Sequence, residues 1–229
     1  MVDFTGGTWR SLVDGAEISA IPDPDVYLDD DWGDNKLTDR DDSGTTIYNG
    51  VEGVYRPEWS IDDGSPSVDN DQLNIQDGDV ITYEFADELP INTETVEWIA
   101  KGIDLSNNGG SGGDASSLAI FSETTDVVNE FRNFDRSYSF FFDGSNTFRF
   151  VEYSDGNFNV LSDGHSPSSP FDLRAKRDEN GNWELWVGDI DGDADDTFSD
   201  ETHTNAVYTG FIGRQDNDVD LKVDEIKYR

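Results

Sequence analysis

FDLRAKRDENGNWELWV, residues 171–187, reads as two strands around one turn. Leu173, Ala175 and Arg177 alternate with Arg174 and Lys176 on the way in. Trp183, Leu185 and Val187 alternate with Glu184 and Trp186 on the way out. A period of two over this length marks strands with one face buried. The connecting Asp178-Glu179-Asn180-Gly181 ends in an Asn-Gly pair, which tolerates the positive φ of tight hairpin turns.

The same grammar extends in both directions. Asp-Gly or Asn-Gly pairs recur at Asp14, Asn49, Asp63, Asp77, Asn108, Asp143, Asp155, Asp163 and Asp191. Between them lie short β-rich runs: Val80–Phe85, Glu94–Ile99, Ser116–Phe121, Tyr138–Phe142, Asn146–Tyr153, Phe158–Val160 and Val207–Ile212. The last run places Val219, Leu221 and Val223 in one phase and Ile226 and Tyr228 in the other, which predicts a bulge at Asp224-Glu225. Many short strands with frequent turns predict an all-β, antiparallel jelly-roll β-sandwich. The best helix candidate is Glu123–Phe131. Residues 1–50 differ: Phe4–Ile21 reads as a small hairpin around Asp14-Gly15, and residues 22–46 as an Asp-rich connector. The domain reading is therefore an N-terminal anchoring segment and linker, 1–50, followed by a sandwich, 51–229. Asn107–Asp114 reads as a loop within the sandwich.

Composition narrows the environment. The 229 residues carry a formal net charge of −36, yet aromatics make up 12%. An acidic disordered chain is poor in aromatics, so this one folds. Such charge opposes compaction in dilute buffer. At molar ionic strength the Debye length falls to about 3 Å and the repulsion is screened. Scarce lysine and abundant Asp resemble the proteins of halophilic archaea, so salt adaptation is expected. No basic stripe exists to displace counterions from nucleic acid, and Arg174, Lys176 and Arg177 are the densest cationic group. No long apolar run or basic amphipathic helix suggests membrane insertion. With no cysteine, disulfides and thiolate metal sites are excluded.

Candidate chemistry is sparse. Asp189, Asp191, Asp193 and Asp195 alternate around Gly192 and superficially resemble a calcium loop. Counting from Asp189, the sixth position is Ala194 and the twelfth Asp200, where an EF-hand has Gly and Glu, so Ca2+ is a secondary expectation. Ser162, Asp163 and His165 are triad types in one loop, but triads assemble across a fold. Glu123, Asp126 and Glu130 lack the alternate-position spacing of a sandwich glucanase. No catalytic residue is assigned, and the chain is expected not to be an enzyme. Trp186, opposite the Trp183 face, offers either an exposed stacking surface for a sugar or a packing surface for a second layer, an N-terminal segment or a neighbouring subunit, the latter favoured.

From about Val51 to Arg229 the chain resembles the concanavalin A-like, laminin G-like sandwich family. The resemblance rests on Gln72-Leu73-Asn74-Ile75, on residues 171–187, and on the closing Gly213, Asp218-Val219, Leu221 and Val223-Asp224-Glu225-Ile226. That sandwich hosts lectins, hydrolases and spacers alike. Phe4-Thr5-Gly6-Gly7-Thr8-Trp9-Arg10, with the Asp-rich linker, resembles structural proteins of tailed viruses of halophilic archaea. The opening residues also lack the charged and apolar regions of a signal peptide. Together these imply a virion surface component: a turret, capsid decoration or tail fibre. It would assemble in the host cytoplasm as a homo-oligomer, contact other virion proteins and bind a host glycan. The alternatives are a salt-adapted glycan hydrolase or lyase of the same fold, and a cellular carbohydrate-binding surface module.

Overall fold

The computed structural model describes residues 9–10, 17–18, 28–30, 32–33, 37, 47–48, 51–52, 59–76, 78–106, 115–128, 133–143, 148–213 and 220–229. Two antiparallel sheets pack face to face as a jelly-roll sandwich. The first sheet runs in the order Asp196–Ser199, Asn182–Gly188, Phe171–Arg177, Val96–Ser106, Asp220–Val223, Leu73–Ile75 and Ser67–Val68. Glu225–Tyr228 also pairs with Val96–Ser106, and Leu28–Asp30 pairs with Glu225–Tyr228. The second sheet runs Asn157–His165, Phe148–Ser154, Ser137–Asp143, Ala115–Ser122, Ala206–Ile212, Val80–Leu89 and Ser60–Asp63.

The hairpin at 171–187 forms as its pattern requires. Arg177 faces Trp183, Ala175 faces Leu185 and Leu173 faces Val187. The inward residues meet those of the opposite sheet in an aromatic core. Trp183 lies 4.8 Å from Tyr138 and 5.1 Å from Phe150, and Trp98 stacks on Phe140 at 5.4 Å. Such pairs contribute about 0.5–1.5 kcal/mol each beyond the area they bury. Tyr228 reaches across the core: its hydroxyl lies 2.6 Å from the Ile120 carbonyl, to which it donates, and 2.6 Å from Thr209 Oγ1. The phase shift at Asp224 is present, since Asp220–Val223 and Glu225–Tyr228 pair separately with Val96–Ser106. Opposite it, Val96–Ser106 bulges between Ala100 and Ile103. Gly102 sits there at φ 62°, and a Cβ would fall 1.9 Å from an Asp224 carboxylate oxygen, so glycine is required.

Two expectations change, and one inward position has an unforeseen character. The Asp-rich connector lends Leu28–Asp30 to the first sheet, and Leu28, Trp32 and Leu37 lie in the main core. Buried Asp30 accepts hydrogen bonds from Trp32 N–H at 3.0 Å and from Trp59 Nε1 at 2.9 Å, which ties the segment to the sandwich. The segment from Glu123 is not helical through position 128: Val127–Val128 is a strand paired with Asn133–Phe134. The inward end of Phe171–Arg177 is charged. Arg177 is 1% exposed and donates to the Ile91 carbonyl. Burial lowers its pKa against the opposing pull of Tyr138, Glu201, Asp178 and Asp200. The expected N-terminal hairpin is seen where Trp9–Arg10 pairs with Glu17–Ile18. The loop Asn107–Asp114 lies outside the described residues.

Candidate functional site

The outer face of the first sheet is built from the residues that alternate with its core. Glu97, Lys101, Arg174, Lys176, Glu184 and Glu225 project there. Cross-strand neighbours of opposite charge attract, so these residues pair. Arg174 and Arg229 both hold Glu97, Lys101 holds Glu225 at 2.8 Å, and Lys176 holds Glu184 at 2.9 Å. At the hairpin end of this face an open cleft of about 540 Å³ is lined by Thr95, Lys176, Asp178, Asn182, Glu184, Thr197 and Ser199, with Trp183 and Phe198 beneath.

The cleft's polar groups are oriented by local bonds. The Asp178 carboxylate accepts the backbone N–H of Asn180 and of Asn182, each at 2.9 Å, and the Asn182 side-chain amide, also at 2.9 Å. Asn182 Oδ1 in turn accepts the Ser199 hydroxyl at 2.7 Å. The bonds from Asn182, foremost, and Asn180 hold Asp178 below the usual carboxylate range, so it is a fixed acceptor. The lining thus presents hydroxyl, amide and charged groups along the strands, an array of hydrogen-bond donors and acceptors. Of these residues the sequence marked only Lys176 and Glu184 as the polar side of a hairpin, and a polar face is by default a solvated one.

Of the residues singled out from sequence, Trp186 is 5% exposed. The Arg174 guanidinium lies 4.1 Å from its ring centroid, and its indole N–H donates to the Gly192 carbonyl at 3.0 Å. The covering layer is therefore the chain's own 189–195 turn and Arg174. In that turn Asp189 accepts the Asp191 N–H at 3.1 Å and Asp195 accepts the Val187 N–H at 2.7 Å. Among the described residues no three acidic or histidine side chains converge as metal ligands, at Asp189, Asp191, Asp193 and Asp195 or elsewhere. Ser162 Oγ and His165 Nε2 lie 3.1 Å apart, but Ser162 is 5% exposed, which closes it to a substrate.

Sequence reasoning missed a second polar constellation at the end of the sandwich. His203, 2% exposed, stands on the crossover from Asp196–Ser199 to Ala206–Ile212. Its Nε2 is 2.9 Å from the Tyr153 carbonyl and 3.1 Å from Glu152 Oε1, and its Nδ1 is 3.7 Å from Glu123 Oε1. Burial raises the Glu152 pKa above the usual carboxylate range, and nearby His203 opposes that shift. A histidine beside Asp200 and Glu201 looks like surface in the sequence, so no pattern could have revealed it.

No family model and no curated protein matches the chain by sequence. Solved structures match by shape. The VIP36 exoplasmic/lumenal domain in its Ca2+/Man-bound form has a TM-score of 0.53 at 10% identity over 75% of this chain and 82% of that one. Its metal-free form scores 0.51 at 10% identity over 74% and 83%. The binding domain of botulinum neurotoxin DC in complex with SialylT scores 0.54 at 10% identity, over 90% of this chain but 48% of that one. At such identity the likeness establishes the fold alone, a two-sheet antiparallel jelly-roll β-sandwich.

Proposed function

We propose that this chain is a non-catalytic glycan-binding sandwich that holds its ligand in the cleft around Asn182. The observation that carries the reading is the cleft itself: pre-oriented hydroxyl, amide and carboxylate groups on an exposed face of a fold whose solved relatives include sugar-bound forms. Glycan hydrolysis is less well supported. A glycosidase needs one carboxyl kept protonated as general acid. Asp178 is held in the opposite direction, and Glu152, the carboxyl pushed upward, is buried in the sandwich away from the cleft lining. The finer reading is a salt-adapted virion surface component, assembled as a homo-oligomer with other virion proteins and engaging a host glycan. It is supported by the charge of −36 and by the resemblance at Phe4–Arg10.

A glycan array probed with the full chain in molar salt tests the binding role. Binding to a defined sugar set is expected, and Asn182→Ala and Ser199→Ala should each weaken it about tenfold. That is the equivalent of one hydrogen bond to ligand. Silence across the array, or equal binding by folded variants, overturns the cleft assignment. Mass spectrometry of purified virus particles tests the finer reading, and absence of the chain from them overturns it.

A further inference from the structure

We infer that Glu123, His203 and Glu152 form a proton-operated clasp that fixes the edge of the cleft. The clasp and the cleft share a segment. Ser199 lines the cleft and Asp200 follows it; Asp200 N–H donates to the Gly181 carbonyl at 2.9 Å, and the Trp183 indole donates to the Asp200 carbonyl at 3.3 Å. The Asp200 carboxylate accepts the Tyr138 hydroxyl and the Thr202 N–H, and the His203 N–H reaches the same Tyr138 oxygen at 3.3 Å. Whatever holds His203 therefore holds the strand that walls the cleft.

His203 is held by acids on both sides. With Nε2 facing both the Tyr153 carbonyl and Glu152, the ring proton of the neutral imidazole belongs on Nε2. The Nδ1 lone pair then faces the Glu123 carboxylate, acceptor against acceptor, and Nδ1 has no hydrogen-bond partner. A proton on Nδ1 turns that contact into a charge-assisted pair. The charged groups around the ring are few. Glu123 comes from the end of Ala115–Ser122 and is held by Arg136, which also feels Asp155 and Asp135. Glu152 comes from Phe148–Ser154. Tyr138, Asp200 and Arg177 adjoin from the core side, and burial with the Asp200 bond pushes the Tyr138 hydroxyl far above its usual range, so it stays protonated.

The sign follows from Glu152. A carboxyl whose pKa is raised on folding stabilises the fold while protonated, and that contribution fades as pH rises through the folded value. At higher pH Glu152 ionises beside the His203 ring against the burial that opposes its charge. The clasp is closed in mild acid and loosened toward alkaline pH. Its effect on glycan affinity rests on the cleft reading, but the clasp itself does not.

Amide exchange of the full chain in molar salt, at about pH 5 and about pH 8, spans the range in which histidine changes charge. After correction for intrinsic rates, protection at 200–205 should fall about tenfold or more, the equivalent of one charge-assisted hydrogen bond. Amides of Leu173–Arg177 serve as the reference and should not change to that extent. Glu152→Gln and His203→Gln should abolish the difference. Equal protection at both pH values in the parent chain overturns the clasp, as does a full response in either folded variant. Because exchange needs no ligand, a failure to bind glycan leaves this result standing. A clasp that responds without altering glycan affinity counts against the cleft instead.

Discussion

Replacing Trp32 by alanine separates two views of the N-terminal Asp-rich stretch. If residues 22–46 were only a connector, a substitution there would behave as a surface change, within about 0.5 kcal/mol. The structure places Trp32 at 0% exposure, with its ring centroid 5.5 Å from that of Trp59, itself packed on Tyr83 and Phe211. Deleting a buried Trp side chain costs about 3–5 kcal/mol. For a chain of this size, each kcal/mol lowers Tm by roughly 2–4 °C, so a fall of roughly 6–20 °C is expected. Near-ultraviolet circular dichroism during a thermal melt in molar salt reads it directly. Asp30→Asn should move Tm the same way by a smaller step, because one of its two buried acceptor oxygens is lost. A Trp32→Ala shift below about 2 °C, the size of a surface effect, would refute the assignment of this segment to the core.

Tyr228→Phe should cost about 1–3 kcal/mol, since the Ile120 carbonyl loses its buried donor; chemical denaturation in molar salt measures it. Glu97→Gln should destabilise by about 1–3 kcal/mol by stripping Arg174 and Arg229 of their shared carboxylate; a melt unaffected by the change would contradict the pairing of both arginines on the buried Glu97 carboxylate. Lys176→Ala should cost less than about 1 kcal/mol, because its pair with Glu184 is 39% and 43% exposed, and a larger loss in the same melt would count against a solvated cleft wall.

The hairpin at 171–187 was legible because a period of two survives any neighbour: both strands needed a buried face whatever they packed on. The bulge at Asp224 was legible for the same reason, as a change of phase. What stayed hidden has no period. Leu28, Trp32 and Leu37 are spaced by four and five, which as a set matches neither strand nor helix, yet Leu28 enters the core from a strand and Trp32 and Leu37 from outside any strand. Arg177 sat in the inward phase, as read, but its charge gave no sign that it would be buried against Trp183 and the Ile91 carbonyl. The run Glu123–Phe131 carried acids at its start, as a helix N-terminus does, but Val127–Val128 pairs as a strand. The cleft depends on three strands in register, Lys176 opposite Glu184 opposite Thr197, and pairing across strands is a tertiary fact.

The acid surplus divides by residue type, and the division is geometric. Asp carboxylates serve the backbone: Asp63 holds Gly64 N–H, Asp79 holds Ser65 and Gln76, Asp172 holds Gly102, Asp178 holds Asn180 and Asn182, and Asp200 holds Thr202. Glu carboxylates serve cations across the sheet: Glu97, Glu123, Glu184 and Glu225 pair with arginine or lysine. One methylene separates the two: the shorter side chain stays close to backbone, in its own turn at Asp63, Asp178 and Asp200 and on an adjoining segment at Asp79 and Asp172, while the longer one reaches a cation on a neighbouring segment. Acidity alone would make the two interchangeable. Asp79→Glu tests the difference at unchanged net charge. Asp79 is 3% exposed, and its two oxygens accept Ser65 N–H at 2.6 Å and Gln76 N–H at 2.7 Å. A longer side chain cannot keep both bonds in that space, and hydrogen bonds to a charged group contribute about 1.5–3 kcal/mol each. A loss of at least about 1.5 kcal/mol by chemical denaturation in molar salt is expected. Parental stability in Asp79→Glu would mean that the aspartates are there for charge and not for the turns.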